Sequence, residues 1–102
     1  NNSIIVPNFS FKERKSAWFV YVVRLLNHNR EDVIKQLQLS GIACGRYFAP
    51  VHLQPFYQAS NSNLKLYNTE KIANQSLALP FYLQLSKKDI GFICDNLLKN
   101  TI

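Results

Sequence analysis

A chain of 102 residues has room for one domain. Its residues are 47% hydrophobic and 13% aromatic, which excludes a disordered chain, and only 18% are charged, below the ~25% usual for soluble domains, so part of the surface is expected to be covered by something else. The formal net charge of +6 suits a phosphate-rich partner and an ordinary solvated surface equally; without an RGG tract, an RNA-binding aromatic signature or a basic helix, nucleic acid is not indicated.

In chain order, the first fifteen residues, Asn-Asn-Ser-Ile-Ile-Val-Pro and onward, read as an extended connector. Its dense charge run, Lys12-Glu13-Arg14-Lys15, is interrupted by an acid. Residues 16–26, rich in β-branched and aromatic side chains, predict a strand. Ala17, Phe19, Tyr21 and Val23 alternate with Trp18, Val20 and Val22, so both faces are apolar and both are expected to be covered. A helix follows, with Asn29 as N-cap, Asp32 in a box-like position, and Glu31 and Asp32 in the first turn, where the helix dipole favours acids. Val33, Ile34 and Leu37 form its buried stripe, Glu31 is spaced to pair with Lys35, and Gly41 stops it.

Residues 42–48 read as a second strand, with Gly45 permitting a close approach beside Tyr47. Pro50 ends it, and the stretch through Pro55 reads as irregular. After a polar loop over 60–68, a short helix is predicted over 69–76, capped by Asn68 or Thr69, with Ile72 and Ala73 inward. A short apolar strand precedes Pro80. Ser86 and Asp89 predict a capping box for the last helix, whose apolar face carries Ile90, Ile93, Cys94, Leu97 and Leu98. The expected class is α+β: a small two-layer domain, a short, mainly antiparallel sheet with helices on one face and the other face available.

The residues do not assemble a catalytic set. There is no G-x-S-x-G, neither histidine has an orienting acid at a recognisable spacing, and the three glycines make no phosphate loop. Cys44 and Cys94 form no metal-ligand pattern; Cys44 shares a strand face with Ile42 and Phe48, a core pattern, Cys94 reads as a core thiol, and two separated cysteines fit a reducing compartment. No apolar run approaches the ~18 residues of a membrane span and no signal peptide is present, so the cytoplasm is expected. A binding rim is better supported. Arg46 offers a planar fork for phosphate or carboxylate, Tyr47 and His52 offer hydrogen bonds, and Pro50 and Pro55 stiffen the loop between them. A purely structural loop fits the same pattern, with His52 bonded to backbone, Tyr47 packed and Arg46 solvated. His28 reads as solvated.

The ordered series Gly41-Ile42, Tyr47, Pro50, His52, Gln54-Pro55, Leu79-Pro80 and Leu85-Ser86, with the opening strand and first helix, resembles the C-terminal domain of the DegT/StrS nucleotide-sugar aminotransferases from about Ala17 to Leu98. The resemblance implies the small domain of an aspartate-aminotransferase-like fold. Residues 1–15 would lead in from a missing N-terminal domain that holds pyridoxal 5′-phosphate and the catalytic lysine, and 16–102 would be the small domain. It further implies amino transfer, usually from glutamate, onto a nucleotide-linked keto sugar, in a homodimer. By the same resemblance Arg46, Tyr47 and His52 face the substrate. No lysine here is assigned a catalytic role, and the chain alone is expected to bind no pyridoxal phosphate and to be inactive. The start at Asn1, with no methionine anywhere, reads as a piece of a longer polypeptide. The competing expectation is a stand-alone α+β module for a nucleotide or anionic ligand, with a hydrophilic second sheet face where the fragment reading expects an apolar one.

Overall fold

The expected opening strand forms over a shorter range. In the computed structural model, which describes residues 2–60 and 63–102, β2 runs Tyr21–Leu25. Residues 16–20 leave the sheet, and Trp18 takes a left-handed backbone with φ 48°. Within β2 the alternation holds. Val23 and Leu25 are buried, while Val22 and Arg24 on the other face are half-buried. A second departure lies in the expected connector. Ile4–Ile5 form a two-residue strand, β1, paired antiparallel with β2 through Ile4 opposite Leu25 and Ile5 opposite Arg24.

The helix α1 spans Arg30–Leu39, with the Asn29 side chain accepting from the Glu31 and Asp32 amides. It ends in a Schellman arrangement. Ile42 N–H donates to Leu37 O, Gly41 N–H donates to Gln38 O, and Gly41 has φ 79°. The motif also turns Ile42 back against Leu37, and both join the core.

Residues 42–48 do not form the expected strand. Only Gly45 pairs, in an antiparallel bridge to Ala78. The following stretch, expected irregular, carries a 3-10 turn over Val51–Leu53 and a single-turn helix, α2, over Pro55–Gln58, with proline at its first position, where no amide is needed. Of the expected loop at 60–68, Asn61 and Ser62 lie outside the described residues.

The helix α3 runs Tyr67–Gln75, two residues earlier than expected, and neither Asn68 nor Thr69 caps it. The Leu66 amide instead donates to the Glu70 carboxylate one turn on, at 3.0 Å. Ile72 is 43% exposed rather than inward. Strand β3, Ser76–Leu79, follows at once and pairs antiparallel with β2, Leu77 opposite Val23, giving the sheet order β1-β2-β3. The last helix, α4, spans Lys87–Lys99 with the expected reciprocal Ser86–Asp89 box.

The core lies on one face of the sheet, where Val23, Leu25 and Leu77 meet Val33, Ile34 and Leu37 of α1 and Ile93 and Leu97 of α4. The α+β class is therefore as expected. The α4 stripe is narrower than its spacing suggested. Ile93 and Leu97 are buried, whereas Ile90 and Leu98 are 48% and 43% exposed and Cys94 is exposed rather than a core thiol.

Candidate functional site

The three residues expected at the rim project from one segment into different surroundings. Segment 43–48 is fastened to the outer edge of β3 by a reciprocal pair of backbone bonds, Gly45 N–H to Ala78 O at 2.9 Å and Ala78 N–H to Gly45 O at 2.8 Å. A Cβ there would stand 3.1 Å from Tyr47 Cε1, a tight contact that glycine avoids. The Tyr47 ring occupies that space and stacks on Phe48, centroids 5.2 Å apart and planes 16° apart.

Beside this pair opens a groove of about 600 Å³, within the size range of small-molecule sites. Phe19, Val20, Cys44, Tyr47, Phe48 and Phe81 are among its walls, and no lining residue is charged. Burial pushes the Cys44 thiol above its ordinary pKa, so the sulfur stays protonated and weakly nucleophilic. What the groove offers is aromatic surface, one phenol and backbone.

Arg46 projects away from that lining toward α1. Its Nε donates to both Glu31 oxygens at 3.0 Å, and its Nη2 also pairs with Oε2. Arg30 holds the other side of the same carboxylate, with Nη2 at 2.8 Å from Oε1. These contacts, Arg46 first, hold the Glu31 carboxyl at about 2, below its ordinary 4.5. Glu31 thus pairs with two arginines and not with Lys35.

His52 lies inside, 7% exposed, with Nε2 3.6 Å from Glu70 Oε2, beyond hydrogen-bond distance. The structure therefore brings Tyr47 to the groove, turns Arg46 to Glu31 and buries His52. Sequence reasoning missed Phe19, Phe48 and Phe81 as groove walls, and Glu31 and Glu70 as partners. The aromatics were legible only as strand composition. Glu31 and Arg46 are fifteen positions apart, a pairing that no local spacing rule signals.

The structure thus joins a small sheet, packed by helices over its core face, to a charge-free aromatic groove at its edge. The model of the DegT/DnrJ/EryC1/StrS aminotransferase family matches residues 2–98, and the chain belongs to that family. It is similar to the aminotransferase TlmJ from Streptoalloteichus hindustanus, with a TM-score of 0.86 at 22% identity over 98% of this chain and 26% of that one. It is similar also to the PLP-form of the putative sugar aminotransferase Spr1654 from Streptococcus pneumoniae, with a TM-score of 0.84 at 19% identity over 97% and 26% of the two chains. The uncharacterized protein MJ1066 from Methanocaldococcus jannaschii is 29% identical over 93 residues, 85% of this chain and 24% of the relative. The chain thus spans about a quarter of the length of these relatives.

The groove does not fit the pyridoxal phosphate that the family implies. No lysine lines it, and every lysine of the chain is exposed at the surface. An imine-forming amine and cations for a phosphate are both missing from its walls.

Proposed function

We propose that this chain is the small C-terminal lobe of a pyridoxal-phosphate-dependent aminotransferase acting on a nucleotide-linked keto sugar. The amino group leaves a donor, glutamate, which becomes a 2-oxo acid, and replaces the carbonyl oxygen of the sugar. The lobe's part is to wall the substrate cleft with the Phe19, Tyr47, Phe48 and Phe81 surface and to exclude water from it. Tyr47 supplies a hydrogen bond to a sugar hydroxyl, Arg46 supplies charge at the rim, and His52 supports the loop from below. The cofactor and catalytic lysine reside in the N-terminal domain. The isolated chain neither binds pyridoxal phosphate nor transaminates. The full-length enzyme is a cytoplasmic homodimer.

The family match across residues 2–98 carries this reading. The apolar exposure supports it over a stand-alone module. Phe19, Phe48 and Phe56 are 75%, 70% and 84% exposed, more aromatic surface than a self-sufficient lobe shows to water. The test is to express the reading frame with all of its upstream sequence beside the 102-residue chain. The long form is expected to carry the cofactor's visible absorbance and to convert a nucleotide-linked keto sugar to its amine with glutamate. The short form is expected to do neither. A colourless long form, or cofactor bound stoichiometrically by the short one, would overturn the assignment.

A further inference from the structure

Arg46 grips Glu31 side-on, Nε and Nη2 reaching the carboxylate together, the same two-point geometry with which a guanidinium takes any carboxylate or phosphate. While Glu31 holds that edge, no ligand oxyanion can. The grip is a weak one. The two side chains are 50% and 51% exposed, and ion pairs at such positions contribute little because water screens them.

Glu31 also does not depend on Arg46. Arg30 donates to its Oε1 from Nε at 3.0 Å and lies 2.8 Å away through Nη2, and the carboxylate sits in the first turn of α1, where the helix dipole favours it. Arg30 is itself fixed, only 18% exposed and hydrogen-bonded to the carbonyls of Ala73 and Ser76. If Arg46 leaves, Glu31 stays paired. Gly45 and Tyr47, on either side of Arg46, both line the groove, so the Arg46 backbone stands at the groove's edge, and its half-exposed side chain has solvent to turn through. The groove needs such a residue. No charged side chain lines it, so the anionic end of a ligand seated there would be desolvated without a counter-charge.

We infer that Arg46 is a releasable anion-reading arginine, and that Glu31 is an internal carboxylate occupying it until a carboxylate or phosphate of the ligand takes its place. The inference rests on the proposed reading in one respect, that substrate approaches along this rim. Glu31 is thereby a competitor of the ligand and not a support for Arg46, and the two roles predict effects of opposite sign.

The experiment follows the side-chain Nε–H signals of Arg46 and Arg30 by NMR in the 102-residue chain during separate titrations with inorganic pyrophosphate and with glutarate. The Arg46 signal is expected to move while that of Arg30 stays. Glu31→Gln is expected to tighten binding by up to ~5-fold, the most that a screened surface pair commands. Arg46→Gln is expected to abolish it. A response to pyrophosphate alone assigns the site to a diphosphate, and a response to glutarate alone assigns it to a dicarboxylic donor. Binding that weakens or is unchanged in Glu31→Gln overturns the inference, as does an Arg46 signal indifferent to both probes at tens of millimolar. None of these readouts needs transamination, so an inactive long form removes the functional reading without touching them.

Discussion

Leu97 and Leu98 are neighbours on α4 with the same side chain, and the structure gives them different surroundings: 5% and 43% exposed. Replacing each by alanine changes helix propensity equally and slightly, so the difference between the variants isolates burial. Leu97 belongs to the cluster with Val33, Ile34, Leu37 and Ile93. Its truncation removes a buried side chain and leaves a cavity that the sheet and α1 close only in part, a loss of about 2–4 kcal/mol. Leu98 is outside that cluster and leaves no cavity, so Leu98→Ala loses at most about 1 kcal/mol of transfer free energy. At roughly 4–8 °C per kcal/mol for a domain of this size, Leu97→Ala melts roughly 8–32 °C lower and Leu98→Ala at most about 8 °C lower. Urea denaturation followed by circular dichroism, with the slopes compared to confirm an unchanged native state, measures both losses. Equal losses, within about 0.5 kcal/mol, would refute the reasoning, because Leu98 would then be covered in solution.

Ser86→Ala removes the Oγ half of the α4 capping box, the bond accepted from the Asp89 amide, while the backbone N–H of residue 86 still donates to the Asp89 carboxylate; it is expected to destabilise the chain by about 1 kcal/mol in the same urea assay, and no change would deny the cap a role. The Glu31 carboxyl is depressed to about 2, so its contribution to stability is present above its unfolded value of 4.5 and is lost as pH falls from there toward 2. Glu31→Gln should therefore flatten the acid limb of a stability–pH profile, modestly for a half-exposed group, and leave the neutral limb unchanged in slope. Exposed Cys94 should react with a thiol reagent well before Cys44, whose thiol burial keeps protonated; the reverse order would contradict the placement of both. Gly45→Ala sets a Cβ 3.1 Å from Tyr47 Cε1, so the Tyr47 ring is expected to give by a few tenths of an ångström against Phe48, which aromatic ring-proton shifts would report; unchanged shifts would contradict the tight contact.

Local chemistry was legible wherever one residue's backbone or cap decided the outcome. Asn29, Gly41 and the Ser86–Asp89 box mark helix ends through bonds that span six residues or fewer, and the structure has all three. Spacing also located Val33, Ile34 and Leu37, because one helix face meets one sheet. Failures came where partners are distant. Residues 42–48 carry strand composition, yet a strand needs an edge to pair with, and β3 offers its outer edge to Gly45 alone. Ile4–Ile5 look like connector because two residues make no pattern, and only β2 makes them a strand. At α3 the cap came from Glu70 reaching back to Leu66, which left Asn68 and Thr69 unused. The family was legible from its ordered motif, while the directions of Arg46 and Tyr47 follow from Glu31 and Gly45, neither of which the motif names as a partner.

The low charge fraction acquires a location in the structure. Aromatic residues that would overfill so small a core gather outside it. Trp18 stacks on Tyr21 at 5.9 Å, with Phe9 and Phe81 each at 6.3 Å from its ring. The Trp18 backbone is held in a left-handed conformation, which a bulky residue adopts at a cost of order 1–3 kcal/mol, and the ring contacts on three sides offset it. That turn takes residues 16–20 out of the sheet, so that Phe19 becomes a groove wall instead of a strand residue. A groove built in this way has shape and apolar cover but no charge of its own. On the proposed reading, the charge that an anionic ligand requires is then best carried on a side chain that can be parked elsewhere when the groove is empty, and the divided pairing of Glu31 between Arg30 and Arg46 would provide that parking place.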